Sequence, residues 1–137
     1  AGSMMLADFR VHGLPRPQGS LHPMRHRGSG KIVTFQPAKL RAWRDGVSFA
    51  ARLHYHAEPH GGPVALLLDF TLARGKTVTR ELTSVPPDLD KLIRAVGDSL
   101  SGTILVDDAQ AVRIEATKSY GERPGVHVRV LALEATP

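Results

Sequence analysis

The stretch that organises this sequence is residues 86–118, PPDLDKLIRAVGDSLSGTILVDDAQAVRIEATK. It carries five aspartates in two groups: Asp88, Asp90 and Asp98, then Asp107 and Asp108. The chain around it is basic, with a formal net charge of +5 at pH 7. A surface that binds polyanions gains nothing from bare carboxylates, so this cluster suggests a bound divalent cation. Oxygen ligands suit Mg²⁺ or Mn²⁺, and such an ion in turn accepts phosphate.

Hydrophobic spacing predicts a helix in the first half of this stretch. Its apolar residues recur at helical intervals: Leu89, Leu92, Ile93, Val96 and Leu100. Asp90, Arg94 and Asp98 fall one turn apart on the opposite side, and Gly102 is suited to ending the helix. Residues 112–117 alternate between apolar and polar, which predicts a half-buried strand. Residues 126–132 predict a final strand that pairs antiparallel with it.

The rest of the chain alternates between strands and one more helix. Strands are predicted over residues 6–12, 32–35 and 63–73, the last as a central strand buried on both faces. An amphipathic helix is predicted over residues 37–55, where Trp43 lies on the apolar stripe, which favours a core role over stacking on a base. We therefore expect an α/β (α+β-like) fold with a mixed sheet of about four to five strands and two main helices.

Length and composition indicate one domain. A chain of 137 residues with 42% hydrophobic content can bury its own core. Residues 1–3, ahead of Met4, are interpreted as an expression scar, and residues 4–137 as the domain. The absence of cysteine excludes disulfides and thiolate metal sites and suits a reducing cytoplasm, where we expect the protein to act. No apolar run approaches the roughly 20 residues that span a bilayer, so no membrane partner is expected.

Basic residues are concentrated near the beginning of the chain. Between residues 9 and 44 there is no acidic residue, but there are eight basic ones: Arg10, Arg16, Arg25, Arg27, Lys31, Lys39, Arg41 and Arg44. This asymmetry suggests a nucleic-acid partner. A solvated basic face without a partner would give the same pattern, so composition leaves both interpretations open.

The aspartates also have a purely structural interpretation. Asp88 or Asp90 could cap the predicted helix, and Asp107-Asp108 could form a turn between strands. One aspartate is enough for a cap, however, which leaves the second unexplained. Adjacent residues in an extended chain point in opposite directions, so at most one of Asp107 and Asp108 would join the first pair. From the residues alone, a metal site and a set of caps and turns remain equal alternatives.

Residues 86–120 resemble the RusA family of Holliday-junction resolvases, which are small dimeric endonucleases common in phages and prophages. The family pattern appears here in five parts: Asp88-Leu89-Asp90, Arg94, Asp98-Ser99-Leu100, Asp107-Asp108-Ala109-Gln110 and Lys118. Residues 15–20 and 40–44 are also similar, but less specifically. The resemblance spans most of the chain, and its motif is specific because all parts occur in order.

The resemblance implies a metal-dependent nuclease. Asp88, Asp90 and Asp108 would be the catalytic acids that hold Mg²⁺ or Mn²⁺ at the scissile phosphate. Hydrolysis would leave 5′-phosphate and 3′-hydroxyl ends. Asp98 and Asp107 would have supporting roles, either orienting ligands or pairing with Arg94.

Arg94 departs from the family pattern, because the better-known member has a lysine there. An arginine keeps the positive charge and grips phosphate through two N–H groups, but it cannot act as a general base. We expect Arg94 to stabilise phosphate. If the reaction needs a deprotonated amine, Lys91 or Lys118 would have to supply it.

The substrate implied is four-way junction DNA, cut by two symmetric nicks from a homodimer. The expected DNA contacts lie on two basic segments: Arg16, Arg25, Arg27 and Lys31 on the first, and Arg74, Lys76 and Arg80 on the second. Two alternatives remain. The chain could be a DNA-binding module without catalysis, or a nuclease acting on flaps or other branched DNA.

Overall fold

The computed structural model describes residues 2–19, 23–25, 32–34 and 38–134, and in the two short segments only the backbone is described. The strands are β1 (Ser3–His12), β2 (Pro23–Arg25), β3 (Ile32–Thr34), β4 (Val64–Leu72), β5 (Ala111–Tyr120) and β6 (Gly125–Leu133). The helices are α1 (Ala38–His54) and α2 (Leu89–Leu100), with one 3₁₀ turn at Asp108–Gln110. Each long element lies where hydrophobic spacing predicted it.

The main sheet has four strands in the order β1-β6-β4-β5. β4 lies inside the sheet, antiparallel to β6 and parallel to β5, while β2 and β3 form a separate hairpin. The expected mixed sheet with two helices is confirmed. The predicted pairing of β5 with β6 is wrong, because β4 lies between them. Residues 121–124 cross the end of β4, where the Gly121 N–H donates to the Leu72 carbonyl at 3.0 Å.

Both helices pack on one face of the sheet, and the hydrophobic core lies between the helices and the sheet. α1 contributes Leu40, Trp43, Val47 and Ala51, each buried. The core role of Trp43 is therefore confirmed. α2 contributes a similar stripe and ends before Gly102, whose φ of 85° allows the chain to turn out of the helix as expected.

The opposite face of the sheet is not covered by a described element, so the prediction that β4 is buried on both faces is wrong. Leu67, Asp69 and Thr71 on this face are only half-buried. Asp69 is tolerated inside the strand because it accepts hydrogen bonds from Thr117 at 2.8 Å and from Arg129 at 3.2 Å.

β5 forms one edge of the sheet and is more exposed than the half-buried strand that was predicted. Val112 is 68% exposed and Ile114 is 44% exposed, although both alternate with polar residues as a half-buried strand should. Alternation identifies the strand but does not reveal that no neighbour lies beyond it. Among the described residues, no helix is long and apolar enough to span a membrane.

Candidate active site

The crossover from β4 to β5 carries all five aspartates of the acidic stretch. Residues 73–88 leave the end of β4, α2 follows, and the turn at Asp108–Gln110 leads into β5. Because β4 and β5 are parallel neighbours, the helix between them has to run back along the sheet. The aspartates are therefore distributed between the two ends of one helix.

Asp88 occupies the N-cap position of α2, but its side chain does not cap the helix. Its backbone is extended, with φ of −69° and ψ of 136°, and its carbonyl accepts the N–H groups of Lys91 and Leu92, both at 3.1 Å. The carboxylate makes no capping hydrogen bond and lies 3.6 Å from Lys91 Nζ, with both side chains about half exposed. The capping interpretation of Asp88 is therefore wrong for its side chain, which remains open to a ligand.

Asp90, Arg94 and Asp98 lie at four-residue intervals along α2 and share one side of the helix. Asp90 and Arg94 are exposed, and Asp98 is half-buried. No salt bridge in the described part of the chain involves Asp90 or Arg94. Arg94 is thus a free guanidinium between two carboxylates, and its suggested pairing with Asp98 or Asp107 is not seen.

Asp107 has the structural role that its turn interpretation predicted. Its side chain accepts the Ala109 N–H at 3.3 Å, and Gln110 Oε1 accepts the Asp107 N–H at 2.9 Å, which together form a capping box. Gln110 Nε2 also donates to the carbonyls of His60 at 2.6 Å and Gly62 at 2.8 Å. This one glutamine joins the acidic turn to the segment that leads into β4.

Asp108 packs against the last turn of α2. Its backbone N–H donates to Ser101 Oγ at 2.9 Å, and its Oδ2 would lie 3.3 Å from a Cβ added to Gly97. Burial raises the pKa of Asp108 above its ordinary value, and hydrogen bonding with Asp107 and the charge of Asp98 raise it further. Asp108 therefore belongs to a group with Asp98 and Asp107, about two turns along α2 from Asp90.

The predicted metal ligands do not meet at one point in this structure. Within residues 2–19 and 38–134, no group of three or more His, Asp or Glu side chains could hold one ion. Asp90 and Gly97 are seven residues apart, which is about 10 Å along a helix axis. The chemistry of the donors nevertheless fits a hard cation, because Mg²⁺ is commonly held by one or two carboxylates together with substrate phosphate. Asp88 with Asp90, and Asp98 with Asp108, are the two pairs that could serve.

Lys118 is bound to the backbone just before α2. Its Nζ donates to the carbonyls of Val85 at 2.8 Å and Pro87 at 2.9 Å, so the amine is engaged by the backbone. This arrangement makes Lys118 a positioning residue for the segment that leads to Asp88. Lys91 lies beside Asp88 instead and is half-buried.

The segment that carries Arg16 lies directly against α2. The Gln18 N–H donates to the Lys91 carbonyl at 2.9 Å, and Arg44 donates to Gln18 Oε1 at 3.2 Å. Gln18 is buried, whereas Arg16 is half-buried. A basic side chain is thereby placed close to the first turn of α2, as a phosphate-binding site beside the acids would require.

The second basic segment is folded against the end of β5. Arg74 donates to the carbonyls of Arg80 and Glu81, and its guanidinium lies 4.4 Å from the centre of the Tyr120 ring. Arg80 donates to the Tyr120 hydroxyl at 2.9 Å. Hydrogen bonds from Thr83 and Arg80 lower the pKa of Tyr120. The Arg74 guanidinium is therefore engaged within the protein, which leaves fewer of its N–H groups for the predicted contact with DNA.

The remaining predicted DNA contacts are described only in part. Lys76 is exposed in the turn between β4 and the acidic stretch. Arg25 lies in the β2–β3 hairpin, where only the backbone is described, and Arg27 and Lys31 lie outside the described residues. Their contribution to DNA binding remains a prediction.

Comparison with known families assigns the chain. The family model described as Endodeoxyribonuclease RusA matches residues 15–131, which is most of the chain and includes both ends of α2. The chain belongs to the RusA family. The resemblance drawn from residues 86–120 is thus confirmed, and RusA membership identifies the protein as one of a family of endodeoxyribonucleases.

A curated relative of this RusA chain is the Bacillus subtilis (strain 168) protein described as "Uncharacterized protein YqaN". The two sequences are 29% identical over 142 aligned residues, which cover 93% of this chain and 96% of the relative. The alignment spans nearly the whole of both proteins, and the relative's description assigns it no function.

Sequence reasoning missed two residues that shape the candidate site. Gln110 was noted only as part of the motif, although Asp107-x-x-Gln110 is the spacing of a capping box. Gly97 was not singled out, although a glycine inside a helix costs about 1 kcal/mol relative to alanine and signals a close contact. Here that contact is with Asp108.

Proposed function

We propose that this protein is a divalent-metal-dependent endonuclease that resolves four-way (Holliday) junctions in the cytoplasm by paired, symmetric nicks. The observation that carries this proposal is the open acidic side of α2. The Asp88 side chain makes no capping hydrogen bond, and Asp90 and Arg94 have no salt bridge in the described part of the chain. Family membership supplies the reaction class, which is DNA strand hydrolysis.

The residues around α2 divide the work of holding the scissile phosphate. A bound Mg²⁺ or Mn²⁺ would supply Lewis acidity and activate water. The proposed ligands are Asp88 and Asp90 at the first end of α2 and Asp108 at the second, so one ion held by all three would require the two ends to be drawn together when metal and substrate bind. Arg94 lies between these groups and is positioned to neutralise charge on the phosphate oxygens, a role that requires no deprotonation.

Neighbouring residues orient this machinery. Lys118 fixes the segment just before Asp88 through its two carbonyl contacts. The Asp107 cap fixes the turn that carries Asp108. Arg16 offers a positive charge to the strand beyond the scissile phosphate, and binding through such contacts weakens steeply as salt increases.

The test of the reaction is nicking of a synthetic four-way junction with Mg²⁺ or Mn²⁺ present. We expect paired nicks with 5′-phosphate ends, and loss of nicking in Asp90→Asn while junction binding survives. Binding without cleavage under any divalent metal would favour the non-catalytic module. The same assay on flaps, forks and linear duplex separates the junction resolvase from a nuclease for other branched DNA.

We further propose that the working form is a homodimer paired through the outer edge of β5. This edge presents unpaired backbone groups and the exposed side chains of Val112 and Ile114. An antiparallel two-fold pairing centred on Ile114 would place Arg113 of each copy opposite Glu115 of the other, so the charges complement each other.

Oligomeric state tests the dimer separately from cleavage. Wild-type protein should have twice the chain mass of 14.8 kDa by analytical ultracentrifugation. Ile114→Lys should shift it to monomer, whereas Leu82→Lys should not, because Leu82 is 77% exposed but belongs to the loop between β4 and α2, not to β5. A monomeric wild type, or a dimer that survives Ile114→Lys, would reject this interface.

A further inference from the structure

A cleft lies beside the first end of α2, at the carboxyl ends of the parallel strands β4 and β5. Its volume is about 560 Å³, within the range of about 300–1,000 Å³ typical of sites for small organic groups. Leu72 and Tyr120, the last residues of the two strands, line its floor, and Pro86 and Pro87 line it next to Asp88. The carboxyl ends of strands in open α/β sheets are where ligands commonly bind.

The walls of the cleft are apolar, although they face solvent. Leu14 is 49% exposed and Val85 is 37% exposed, and Val78 lines the same cleft. Arg16 and Arg80 are the charged side chains of the lining, and both are basic. An apolar slot bordered by positive charge suits a flat, neutral group attached to an anionic chain.

The aromatic ring in this cleft is held in place before any ligand arrives. Arg80 donates to the Tyr120 hydroxyl at 2.9 Å, and the guanidinium of Arg74 lies 4.4 Å from the ring centre. Thr83, which lies in the same lining, is only 5% exposed. Because the ring is already immobilised, a group that stacks on it loses little affinity to ordering of the protein.

The geometry points to a nucleotide subsite: the cleft takes one unstacked base of the DNA strand whose backbone lies at Asp88 and Asp90. The base contacts Tyr120 and the apolar walls, and the flanking phosphates contact Arg16 and Arg80. This inference rests on the proposed function, since it places the base next to the scissile phosphate. Bases at a branch point are less costly to extrude than bases inside a duplex, which favours branched DNA.

The test is a double-mutant cycle between the protein ring and a DNA base. Junction binding is measured in Ca²⁺, with Tyr120→Leu protein and with junctions that carry one abasic nucleotide at each position near the branch. Stacking on an aromatic side chain contributes about 1–3 kcal/mol per base, so Tyr120→Leu should weaken binding by roughly 5- to 150-fold. At one position, removing the base should weaken wild-type binding similarly, and combining the two changes should add no further loss.

Tyr55→Leu is the matched control, because Tyr55 is the other tyrosine and does not line the cleft. With this variant, loss of the base should weaken binding as much as it does in the wild type. Additive losses for Tyr120→Leu at every position, despite an unchanged thermal midpoint, would reject the subsite. Coupling without nicking would reject the nuclease proposal alone, whereas nicking with additive losses would reject the subsite alone.

Discussion

The two ends of α2 carry the same type of side chain in opposite surroundings. At the first end, Asp88 and Asp90 are exposed, and Asp88 has only a loose pair with Lys91. At the second end, the Asp107 side chain caps the 3₁₀ turn that follows it. Asp108 lies against Gly97, and its pKa is raised. The first group is open to a ligand, whereas the second is held in place by the fold.

This difference shows that a motif of acids need not be a set of equivalent residues. Asp107 is accounted for by local hydrogen bonds, which a nuclease and a non-catalytic protein would both need. Asp108 is held close to like charges with no described basic partner, an arrangement that a bound cation would relieve. Each of the following variants tests one side of the contrast.

The largest difference in nicking rate is expected between the variants Asp90→Asn and Asp107→Asn. Asp90→Asn should lower the nicking rate by more than the roughly 10–100-fold typical of losing a residue that only supports a metal ligand. Asp107→Asn should retain most nicking, because asparagine also accepts the Ala109 N–H as a cap. Single-turnover nicking of a labelled junction measures both. Equal losses would show that the two aspartates are not functionally distinct.

Variants of Arg94 test whether nicking needs only a positive charge between the two ends of α2. Arg94→Lys should keep nicking within about threefold of wild type, and Arg94→Gln should lower it by roughly 10- to 100-fold, because a charge near the phosphate is lost. The measurement is the nicking rate at saturating enzyme. A large loss in Arg94→Lys would show that two-point contact by the guanidinium matters, or that the chemistry differs from simple charge stabilisation.

Gly97→Ala should separate the position of Asp108 from the stability of the helix. The new Cβ would lie 3.3 Å from Asp108 Oδ2, so Asp108 has to move by a few tenths of an ångström. Helix propensity improves by about 1 kcal/mol, which offsets the crowding, so the free energy of unfolding should change little. Nicking should nevertheless fall by about 5- to 20-fold, because small misplacements near reacting groups are costly.

Gly46→Ala in α1 is the control for Gly97→Ala. A Cβ at Gly46 would meet no atom within 4 Å, so urea unfolding should show a gain of about 0.5–1 kcal/mol with nicking unchanged. If Gly97→Ala also left nicking unchanged, Asp108 would not need its present position.

The smallest effect concerns stability and pH. Since the pKa of Asp108 is raised in the folded protein, its ionisation costs folding free energy above the ordinary aspartate pKa of 3.8 and costs none below it. Asp108→Asn should therefore raise the thermal midpoint by at most a few degrees near about pH 7, and the gain should vanish by about pH 3. Asp88→Asn should give no gain, because it only removes an exposed ion pair.

Much of the fold follows from the sequence because it depends on local periodicity. The apolar stripes of both helices, the end of α2 at Gly102 and the apolar run of β4 each predict their element correctly. Sheet order depends on contacts between distant segments, which alternation does not encode. The three errors are antiparallel pairing of β5 with β6, burial of β4 on both faces, and burial of Val112 and Ile114, and all arise from this cause.

The sequence predicted which residues belong to the candidate site, but not how they are arranged in space. Sequence spacing placed Asp90, Arg94 and Asp98 on one side of a helix, as the structure has them. It could not give the distance between Asp90 and Asp108, because the loop after α2 determines where the second group lies. The bonds of Lys118 to Val85 and Pro87 join residues about thirty positions apart, and no local pattern reveals them.

The hydrogen bonds of Gln110 have a consequence for how the site tolerates change elsewhere. By donating to the carbonyls of His60 and Gly62, Gln110 attaches the acidic turn to the chain just ahead of β4. β4 is paired with a strand on each side, so this attachment point is held firmly in the sheet. A sequence change elsewhere that leaves β4 and Gln110 in place should therefore leave the position of the Asp107–Asp108 turn unaltered.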